Sequence, residues 1–443
     1  MTVRPVPASL ASRPIPIVRS NGRINHRLPV SFYWGVPGVT FTLLLVLIAS
    51  LGQASQVWAA SPSAADAVAT RTLPLVEKKV FRIPDFLFRH ARRRLPVEVG
   101  YETYGTLAPN RDNVILVCHY FTGQSHAAGR YAADDPQPGW WDSLIGPGKV
   151  IDTDRSFVIC VDSLANLNVY NPRVHTTGPA TIDPTTGRPY GMNFPIFTLE
   201  DVIRTQKLLL DHLGIKRLRL VIGPSMGGLQ AWMWGRHHPE MVERLVAVFA
   251  TPMMRPWCLM MPNQLGIDAI KLDPKWRGGD YYGGEPPLDG LLQAFKILLM
   301  VTRTDAWAEA SFGRRLASGT PDPYRSHDGR FLVDTEVENI VRGRMKFFDP
   351  NHYLYIAKAN ILFDLREGDE TFAQALSRVT MPALMIIDES DLMFTRAQAE
   401  EALKYLPRGE LFCYDSRNGH LSCLFETDSF KDRLRQFIEA GQP

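Results

Sequence analysis

The chain has 443 residues, of which 45% are hydrophobic and 21% are charged, and its formal net charge is only +3. This is ordinary globular composition, with enough apolar residues for one large domain or two modest ones. The basic residues are scattered along the chain, so nothing predicts a nucleic-acid partner. Five cysteines are too few for a disulfide scaffold, although Cys413 and Cys423 are close enough in sequence to pair in an oxidising compartment.

The first 60 residues have the pattern of an export signal. Residues 1–30 carry five arginines and no acidic residue, and the uncharged run VPGVTFTLLLVLIASL and then small residues follow. This order predicts a secretory signal cleaved after Ala59, with Val57 at the −3 position, and a periplasmic or secreted protein. The long basic region leaves an uncleaved membrane anchor as the alternative, although the apolar run is short for a spanning helix. Residues 61–79 are predicted to be a linker.

Short apolar strands alternate with helices in the rest of the chain. The segment LPVEVGYETYG is predicted to be an edge strand, and TLEDVIRTQKLLLDHLGI to be a helix with Thr198 as its N-cap. Alternation of this kind predicts an α/β fold with a mostly parallel sheet over residues 80–251 and 379–443. The other predicted strands are NVILVCH, SFVICVD, LRLVIG, VERLVAVFAT, PALMIIDE and GELFCYD.

Residues 252–378 interrupt this alternation. They contain helix-like patterns such as LDGLLQAFKILLMV and DTEVENIVRGRMKFF, and no apolar β run. We predict a helical insertion that covers the carboxyl-terminal edge of the sheet. Active sites of open α/β sheets lie at that edge, so the insertion is placed to act as a lid.

The segment VIGPSMGGLQAWMW contains a Gly-x-Ser-x-Gly pattern formed by Gly223, Ser225 and Gly227. Such a pattern presents a serine on a tight turn between a strand and a helix, because side chains at the two flanking positions would collide with their neighbours. A strand is predicted before this segment and a helix after it. The pattern therefore indicates that Ser225 is a nucleophile, with a purely structural turn as the alternative.

An acid and a histidine follow Ser225 in the chain order that a catalytic triad on this kind of sheet requires. His420 lies after the last predicted strand, where it can reach back to the serine and act as its base. Asp388, Glu389 and Asp391 all follow the preceding strand, and periodicity does not separate them as candidates for the acid. No CxxC pair or HExxH motif is present, so the sequence predicts no metal site.

Two backbone N–H groups are needed to stabilise the oxyanion that forms during acyl transfer. The first is predicted at Met226, directly after the nucleophile. The second is predicted in the loop CHYFTG, which follows an earlier strand. His119 in that loop comes too early in the chain to be the triad base, so we assign it a role in shaping the loop.

The chain from Arg82 to its C-terminus resembles the homoserine O-acetyltransferases of the α/β-hydrolase fold. The resemblance implies Ser225 as nucleophile, Asp391 as acid, His420 as base, and the amides of Phe121 and Met226 as the oxyanion hole. It also implies a helical lid and a possible homodimer formed through that lid. The motifs that carry it are GWWDSLIGPGKVIDTDRSFVIC, TTGPATIDPTTGRPYGMNFPIFTLEDVIRTQKLLLDHLGI, GPSMGGLQAW, DPKWRGGDYY and FDPNHYLYIAKANILFDL.

The chain departs from the family pattern at three single positions and in the stretch SLANLNVYNPRVHTTGP, where family members carry a glycine-rich segment. Pro224 replaces a glycine of the serine turn. Ile267 replaces an arginine that holds the amino-acid substrate, and Leu421 replaces an aspartate that pairs with the substrate amine. Loss of two such charges is expected to cost on the order of 2–5 kcal/mol of recognition. The resemblance combined with these changes predicts an apolar substrate pocket that is unsuited to homoserine.

These observations lead to an exported serine esterase, without a cofactor, as the first functional hypothesis. Acetyl-CoA is a cytosolic metabolite, so an exported enzyme with this triad would use water and would hydrolyse short-chain acyl esters through an acyl-enzyme on Ser225. The first alternative is an O-acyltransferase of the homoserine O-acetyltransferase type that uses acyl-CoA. The second is a non-catalytic binding protein on the same fold. No membrane contact is predicted unless the N-terminal segment stays uncleaved.

Overall fold

The computed structural model describes residues 72–253 and 255–440. The predicted export signal, its cleavage site at Ala59 and most of the predicted linker lie outside the described residues. Within the described part, no helix combines the length and the apolar character needed to cross a bilayer.

The core of the fold is an eight-stranded sheet. Its strands are β1 Lys79–Phe88, β2 Arg93–Tyr104, β3 Val114–Val117, β6 Phe157–Val161, β7 Leu220–Pro224, β8 Leu245–Val248, β9 Ala383–Asp388 and β10 Gly409–Tyr414; a separate ribbon consists of β4 Ile145–Gly146 and β5 Ile151–Asp152. The order of the strands in the sheet is β1-β2-β6-β3-β7-β8-β9-β10. Strands from β6 to β10 along this order run parallel, whereas β1 and β2 pair antiparallel with each other and β2 pairs antiparallel with β6.

Helices cover both faces of this sheet, and the residues of β3, β7 and β8 are all buried. The apolar residues form two buried clusters on opposite faces. The mostly parallel α/β fold is therefore confirmed. The core helices are α1 Leu199–His212, α2 Met226–His237, α9 Arg396–Leu403, α10 Ser422–Phe425 and α11 Lys431–Glu439.

Six α-helices of the described residues lie between β8 and β9, and we call this segment the lid. They are α3 Met261–Leu272, α4 Leu288–Thr302, α5 Asp305–Ser311, α6 Leu332–Met345, α7 Pro350–Ile361 and α8 Phe372–Ser377. The edge-strand prediction for LPVEVGYETYG was wrong, because that segment forms β2 and its outer edge is covered by β1. The alternation of apolar and polar residues in β2 does not reveal β1 as a neighbour. A strand at the edge of a sheet and the strand next to it can show the same alternation, because each buries one face.

A buried carboxylate fastens the lid to the rest of the fold. Asp349 precedes α7 and accepts a hydrogen bond from the His352 N–H at 2.9 Å. It also accepts hydrogen bonds from the hydroxyl groups of Tyr170, Tyr281 and Tyr282 at 2.8, 2.9 and 3.1 Å. Tyr170 lies in the loop after β6, so this one side chain ties two parts of the lid to the core. A fully buried carboxylate is stable only when it is hydrogen-bonded in this way.

The sequence left open whether Cys413 and Cys423 pair, and in this structure all five cysteines are free thiols. Cys413 belongs to β10, whereas Cys423 is buried in α10. The Cys423 thiol donates a hydrogen bond to the His420 carbonyl oxygen at 3.1 Å.

Candidate active site

Ser225 is the single residue between the last residue of β7 and the first residue of α2. Its backbone has φ 55° and ψ −122°, a conformation that side-chain-bearing residues rarely adopt. Such strain is retained at functional sites when the surrounding structure enforces it. Here the Ser225 N–H donates to the Val248 carbonyl oxygen of β8 at 2.8 Å, which fixes the turn to the sheet.

The glycines around Ser225 allow close backbone approach. A Cβ atom on Gly223 would lie 2.5 Å from the Cys118 carbonyl oxygen, and one on Gly227 would lie 2.1 Å from the same atom. Neither distance is compatible with a side chain. Glycine is therefore required at both positions, because the start of α2 packs directly on the chain at the end of β3.

Pro224 is the last residue of β7. The N–H groups of Val221 and Ser225 donate to the carbonyl oxygens of Arg244 and Val248 at 3.0 and 2.8 Å. Because N–H directions alternate along a strand, position 224 faces the opposite side, toward β3. Proline at this position therefore removes none of the hydrogen bonds between β7 and the segment of β8.

The three predicted catalytic side chains meet at the carboxyl-terminal edge of the sheet. The His420 Nε2 lies 2.7 Å from the Ser225 Oγ, and its Nδ1 lies 2.7 Å from the Asp391 Oδ2. Asp391 also accepts hydrogen bonds from the N–H groups of Met393 at 2.7 Å and Phe394 at 3.3 Å. This geometry holds the imidazole so that Nε2 can take the serine proton.

The other two candidate acids point away from His420. Asp388 is fully buried and accepts hydrogen bonds from three serines, which stabilises the turn after β9. Glu389 forms an ion pair with Arg396 at the surface. The structure therefore places Asp391, and neither neighbour, against the histidine. The three serines are Ser390, Ser416 and Ser422.

The two residues predicted to supply the oxyanion amides lie beside Ser225. Phe121 and Met226 both line the cavity there, and among the described residues neither N–H has a hydrogen-bond acceptor. Met226 is the first residue of α2, where N–H groups have no partner within the helix and favour negative charge. The arrangement suits a developing oxyanion.

His119 shapes the loop that carries Phe121. Its Nε2 accepts a hydrogen bond from the Ser163 N–H at 3.0 Å, so its Nδ1 carries the proton and donates to the Tyr120 carbonyl oxygen at 2.8 Å. Burial lowers the pKa of His119, which favours this neutral form. The His119 ring therefore connects the loop after β3 to the loop after β6 through hydrogen bonds at both of its nitrogens.

Sequence reasoning missed a buried ionic network behind the same loop. Lys78 and Glu102 form an ion pair at 2.7 Å, and Glu102 also bonds to the His126 Nδ1 at 2.9 Å. Although burial raises the pKa of Glu102, the His126 hydrogen bond and the Lys78 charge lower it to about 2. Asp162 joins the network by accepting from the Ser125 N–H at 2.6 Å. Its members come from distant segments, so no local pattern could have found it.

A mostly apolar cavity of about 100 Å³ lies between the triad and the lid. The residues that line it lie in the turn at Ser225, in α3, α4, α6 and α7, and in the loop around His420. One polar group stands out, because the Asn360 side chain is buried and its Oδ1 has no hydrogen-bond partner. Apart from Ser225 and His420, the lining side chains with oxygen or nitrogen are Tyr120, Thr122, Asn263, Thr302, Arg344 and Asn360.

Among the described residues, one group has a metal-ligating arrangement, and it lies outside this cavity. It consists of Glu200, His237 and Glu367. Arg89 forms ion pairs with both carboxylates, and Arg236 lies 3.7 Å from Glu367. These cations already neutralise the acids, so the cluster is a surface ion-pair network.

Comparison with known proteins agrees with this geometry. Residues 160–427 match the model of the alpha/beta hydrolase fold family. The homoserine O-acetyltransferase of Deferribacter desulfuricans is 40% identical over 80% of this chain and 93% of its own length. The chain belongs to the homoserine O-acetyltransferase family of α/β hydrolases.

Two solved structures are also similar at the level of the fold and the sequence. The homoserine O-acetyltransferase from Bacillus anthracis superposes with a TM-score of 0.79 at 40% identity, covering 82% of this chain and 98% of that one. Esterase E22 superposes with a TM-score of 0.78 at 36% identity, covering 82% of this chain and 100% of that one.

The first functional hypothesis from the sequence, an exported esterase for short-chain esters, was wrong. Curated relatives that are 36–40% identical to the chain are homoserine O-acetyltransferases, and they favour the acyl-transfer alternative. The hypothesis relied on an N-terminal segment outside the described residues and on two pocket substitutions. Leu421 does line the cavity, but Ile267 is buried within the lid and is not among the lining residues.

Proposed function

We propose that this homoserine O-acetyltransferase relative is an O-acyltransferase, which moves an acyl group from acyl-CoA to the hydroxyl group of a small acceptor. The observation that carries the proposal is a serine triad facing a lid-covered cavity in a chain that aligns with 93% of a curated homoserine O-acetyltransferase. Both the triad and the enclosure are what covalent acyl transfer between two substrates requires.

In the first half-reaction the Ser225 Oγ attacks the thioester carbonyl carbon while the His420 Nε2 takes the hydroxyl proton. The oxygen of the tetrahedral intermediate lies against the amides of Phe121 and Met226. The carbon–sulfur bond then breaks, and His420 gives its proton to the departing thiolate. The products are an acyl ester on Ser225 and free CoA.

In the second half-reaction the acceptor hydroxyl takes the place of the departed thiol. His420 removes its proton, and the acceptor oxygen attacks the acyl-enzyme carbonyl. The bond to Ser225 breaks and His420 returns the proton to the Ser225 Oγ. Asp391 keeps the ring in one orientation through both steps. Water is a competing acceptor, and the apolar lid helices limit its access.

The Asn360 Oδ1 in this cavity is buried and has no hydrogen-bond partner among the described residues. A buried amide without a partner costs about 1–3 kcal/mol, which is recovered when a ligand bonds to it. We infer that the Asn360 carboxamide bonds to a polar group of the acceptor other than the reacting hydroxyl. Such a bond would discriminate against simple alcohols, because they leave the amide unpaired.

The proposal is tested by incubating the purified chain with acetyl-CoA and either homoserine or a panel of other hydroxy compounds. Thiol release gives the rate, and mass spectrometry identifies the product. We expect an O-acetyl product, acceptor-dependent thiol release and no reaction with the Ser225→Ala variant. Release of acetate at the same rate with and without every acceptor would contradict the proposal.

A further inference from the structure

A second opening adjoins the catalytic cavity. This groove has a volume of about 350 Å³, and four residues line both spaces: Tyr120, Thr122, Arg344 and Phe348. The groove runs from the lid, at the end of α6, to the loop that follows β3. Its position makes it a continuation of the catalytic cavity toward solvent.

The size of the inner cavity makes the groove relevant to the acyl donor. A cavity of about 100 Å³ has room for an acyl group and a small acceptor, but not for the nucleotide that forms the far end of acyl-CoA. If the proposed acyl transfer is correct, most of the donor must therefore lie outside the cavity. The groove is the space that shares walls with it.

The groove is positively charged. Arg344 and Lys346 line it and are exposed, and no acidic side chain is among its described lining residues. Arg344 forms no ion pair with any described residue, whereas Arg342 on the same helix pairs with Glu338 at 2.8 Å. Cations are common in the last turn of a helix. That preference explains a basic residue there but not an unpaired one at the mouth of the cavity.

A neighbouring guanidinium strengthens this positive field. Burial lowers the pKa of Arg303 to about 10; the charge of Arg344 adds to the effect, and the charge of Glu426 opposes it. The two arginines therefore lie close enough on the lid for their charges to interact. Such a region attracts a multiply charged anion, and arginine is well suited to bind phosphate oxygens.

The groove also offers groups suited to a base. The Trp140 indole lines it and is half-buried, and its Nε1–H donates to the Gln124 carbonyl oxygen at 2.9 Å. The Gln124 side-chain Oε1 is buried and has no hydrogen-bond partner. An aromatic ring beside an unpaired amide provides stacking and hydrogen-bonding partners for an adenine.

We propose that this groove binds the phosphorylated nucleotide end of the acyl-CoA donor, with its phosphates on Arg344 and Lys346 and its base against Trp140. The thin pantetheine arm then passes between Tyr120 and Phe348 and brings the thioester to Ser225. This inference rests on the proposed acyl transfer, and it assigns the site that selects the donor.

The test compares acetyl-CoA with S-acetylpantetheine, which has the same thioester but no nucleotide. We expect Arg344→Ala and Lys346→Ala each to raise KM for acetyl-CoA roughly three- to tenfold, and the double variant more. KM for S-acetylpantetheine should rise much less than KM for acetyl-CoA, so the ratio of the two KM values reports the loss of nucleotide binding. Arg342→Ala is the matched control, since that side chain is on the same helix and already has a carboxylate partner.

A second measurement separates failure of this inference from failure of the proposed function. Adenosine 3′,5′-bisphosphate, which carries two of the phosphates of CoA, is titrated into the wild type and the Arg344→Ala/Lys346→Ala variant. Weaker binding by the double variant supports the nucleotide site even if no transfer is observed. Equal binding, or an equal rise in KM for both donors, overturns the site while leaving acyl transfer intact.

Discussion

The sheet edge and the lid contribute different properties to this site. At the sheet edge, Ser225, His420 and Asp391 are fixed by strands, a strained turn and hydrogen bonds of 2.7 Å. In the lid, apolar helices form the cavity wall, and most of their contacts are non-directional. The chemical step therefore depends on the sheet edge, whereas the choice of donor and acceptor depends on the lid. Variants in the two regions should therefore fail in different ways.

Ser225→Ala tests the sheet edge with the largest expected effect. Loss of the nucleophile should lower kcat by roughly 10⁴- to 10⁶-fold, because no acyl-enzyme can form. Binding of CoA, measured by calorimetry, should be nearly unchanged, since the lid and the groove stay intact. Residual turnover close to the wild-type rate would mean that the acyl group passes directly to the acceptor.

Asp391→Asn and Asp388→Asn separate a catalytic carboxylate from a structural one a few residues away. Asp391→Asn should lower kcat by about 10⁴-fold with little loss of stability, because the amide favours the wrong tautomer of His420. Asp388→Asn should lower the free energy of unfolding by about 1–3 kcal/mol, since a buried acceptor of serine hydrogen bonds is weakened, while kcat at a permissive temperature stays within a few fold. Steady-state kinetics measure the first effect and thermal melts the second. A large loss of kcat for Asp388→Asn, with a loss of stability alone for Asp391→Asn, would make Asp388 the catalytic acid.

Asp349→Asn tests how the lid is held. Three tyrosine hydroxyls and one N–H donate to this carboxylate, so the variant should lose about 2–3 kcal/mol of unfolding free energy. Loosening of the lid should raise KM for both substrates by roughly tenfold, whereas kcat changes less. Hydrogen exchange in α7 reports the loosening directly. Asp364→Asn is the control and should have little effect on either quantity, because this carboxylate after the same helix is only half-buried and pairs with Arg366 near the surface.

The sheet edge could be predicted from the sequence because its signals are local. A glycine-flanked serine between a strand and a helix, and a histidine after the last strand, are each recognisable in a short segment. The choice of Asp391 over Asp388 came from the family resemblance, and the structure gives its reason in the serine hydrogen bonds of Asp388.

The lid interior could not be predicted in the same way. Periodicity indicates helices, but it does not say which of their side chains reach the cavity. Ile267 was assigned to the pocket and is buried elsewhere, whereas Asn360 and Arg344 were not noticed although they line it. Export and a homodimer through the lid stay predictions, which sequencing of the mature N-terminus and sedimentation would test.

Asn360→Leu has the smallest expected effect of these variants. It separates the lid from the sheet edge most sharply, because only binding of the acceptor should change. Removal of an unpaired buried amide should leave the free energy of unfolding unchanged or slightly higher, because its desolvation was not compensated in the free protein. KM for the acceptor should rise roughly three- to tenfold, while thiol release in the first half-reaction stays at the wild-type rate.

Asn351→Leu is the matched control for this last variant, since it changes the same residue type in the same helix. The Asn351 carboxamide is fully bonded: its Oδ1 accepts from the Trp276 Nε1–H at 3.0 Å, and its Nδ2 donates to the Gly279 carbonyl oxygen at 2.9 Å. Its replacement should cost about 1–3 kcal/mol of stability. A stability loss of that size for Asn360→Leu, without a change in acceptor KM, would show that Asn360 supports the fold and does not select the acceptor.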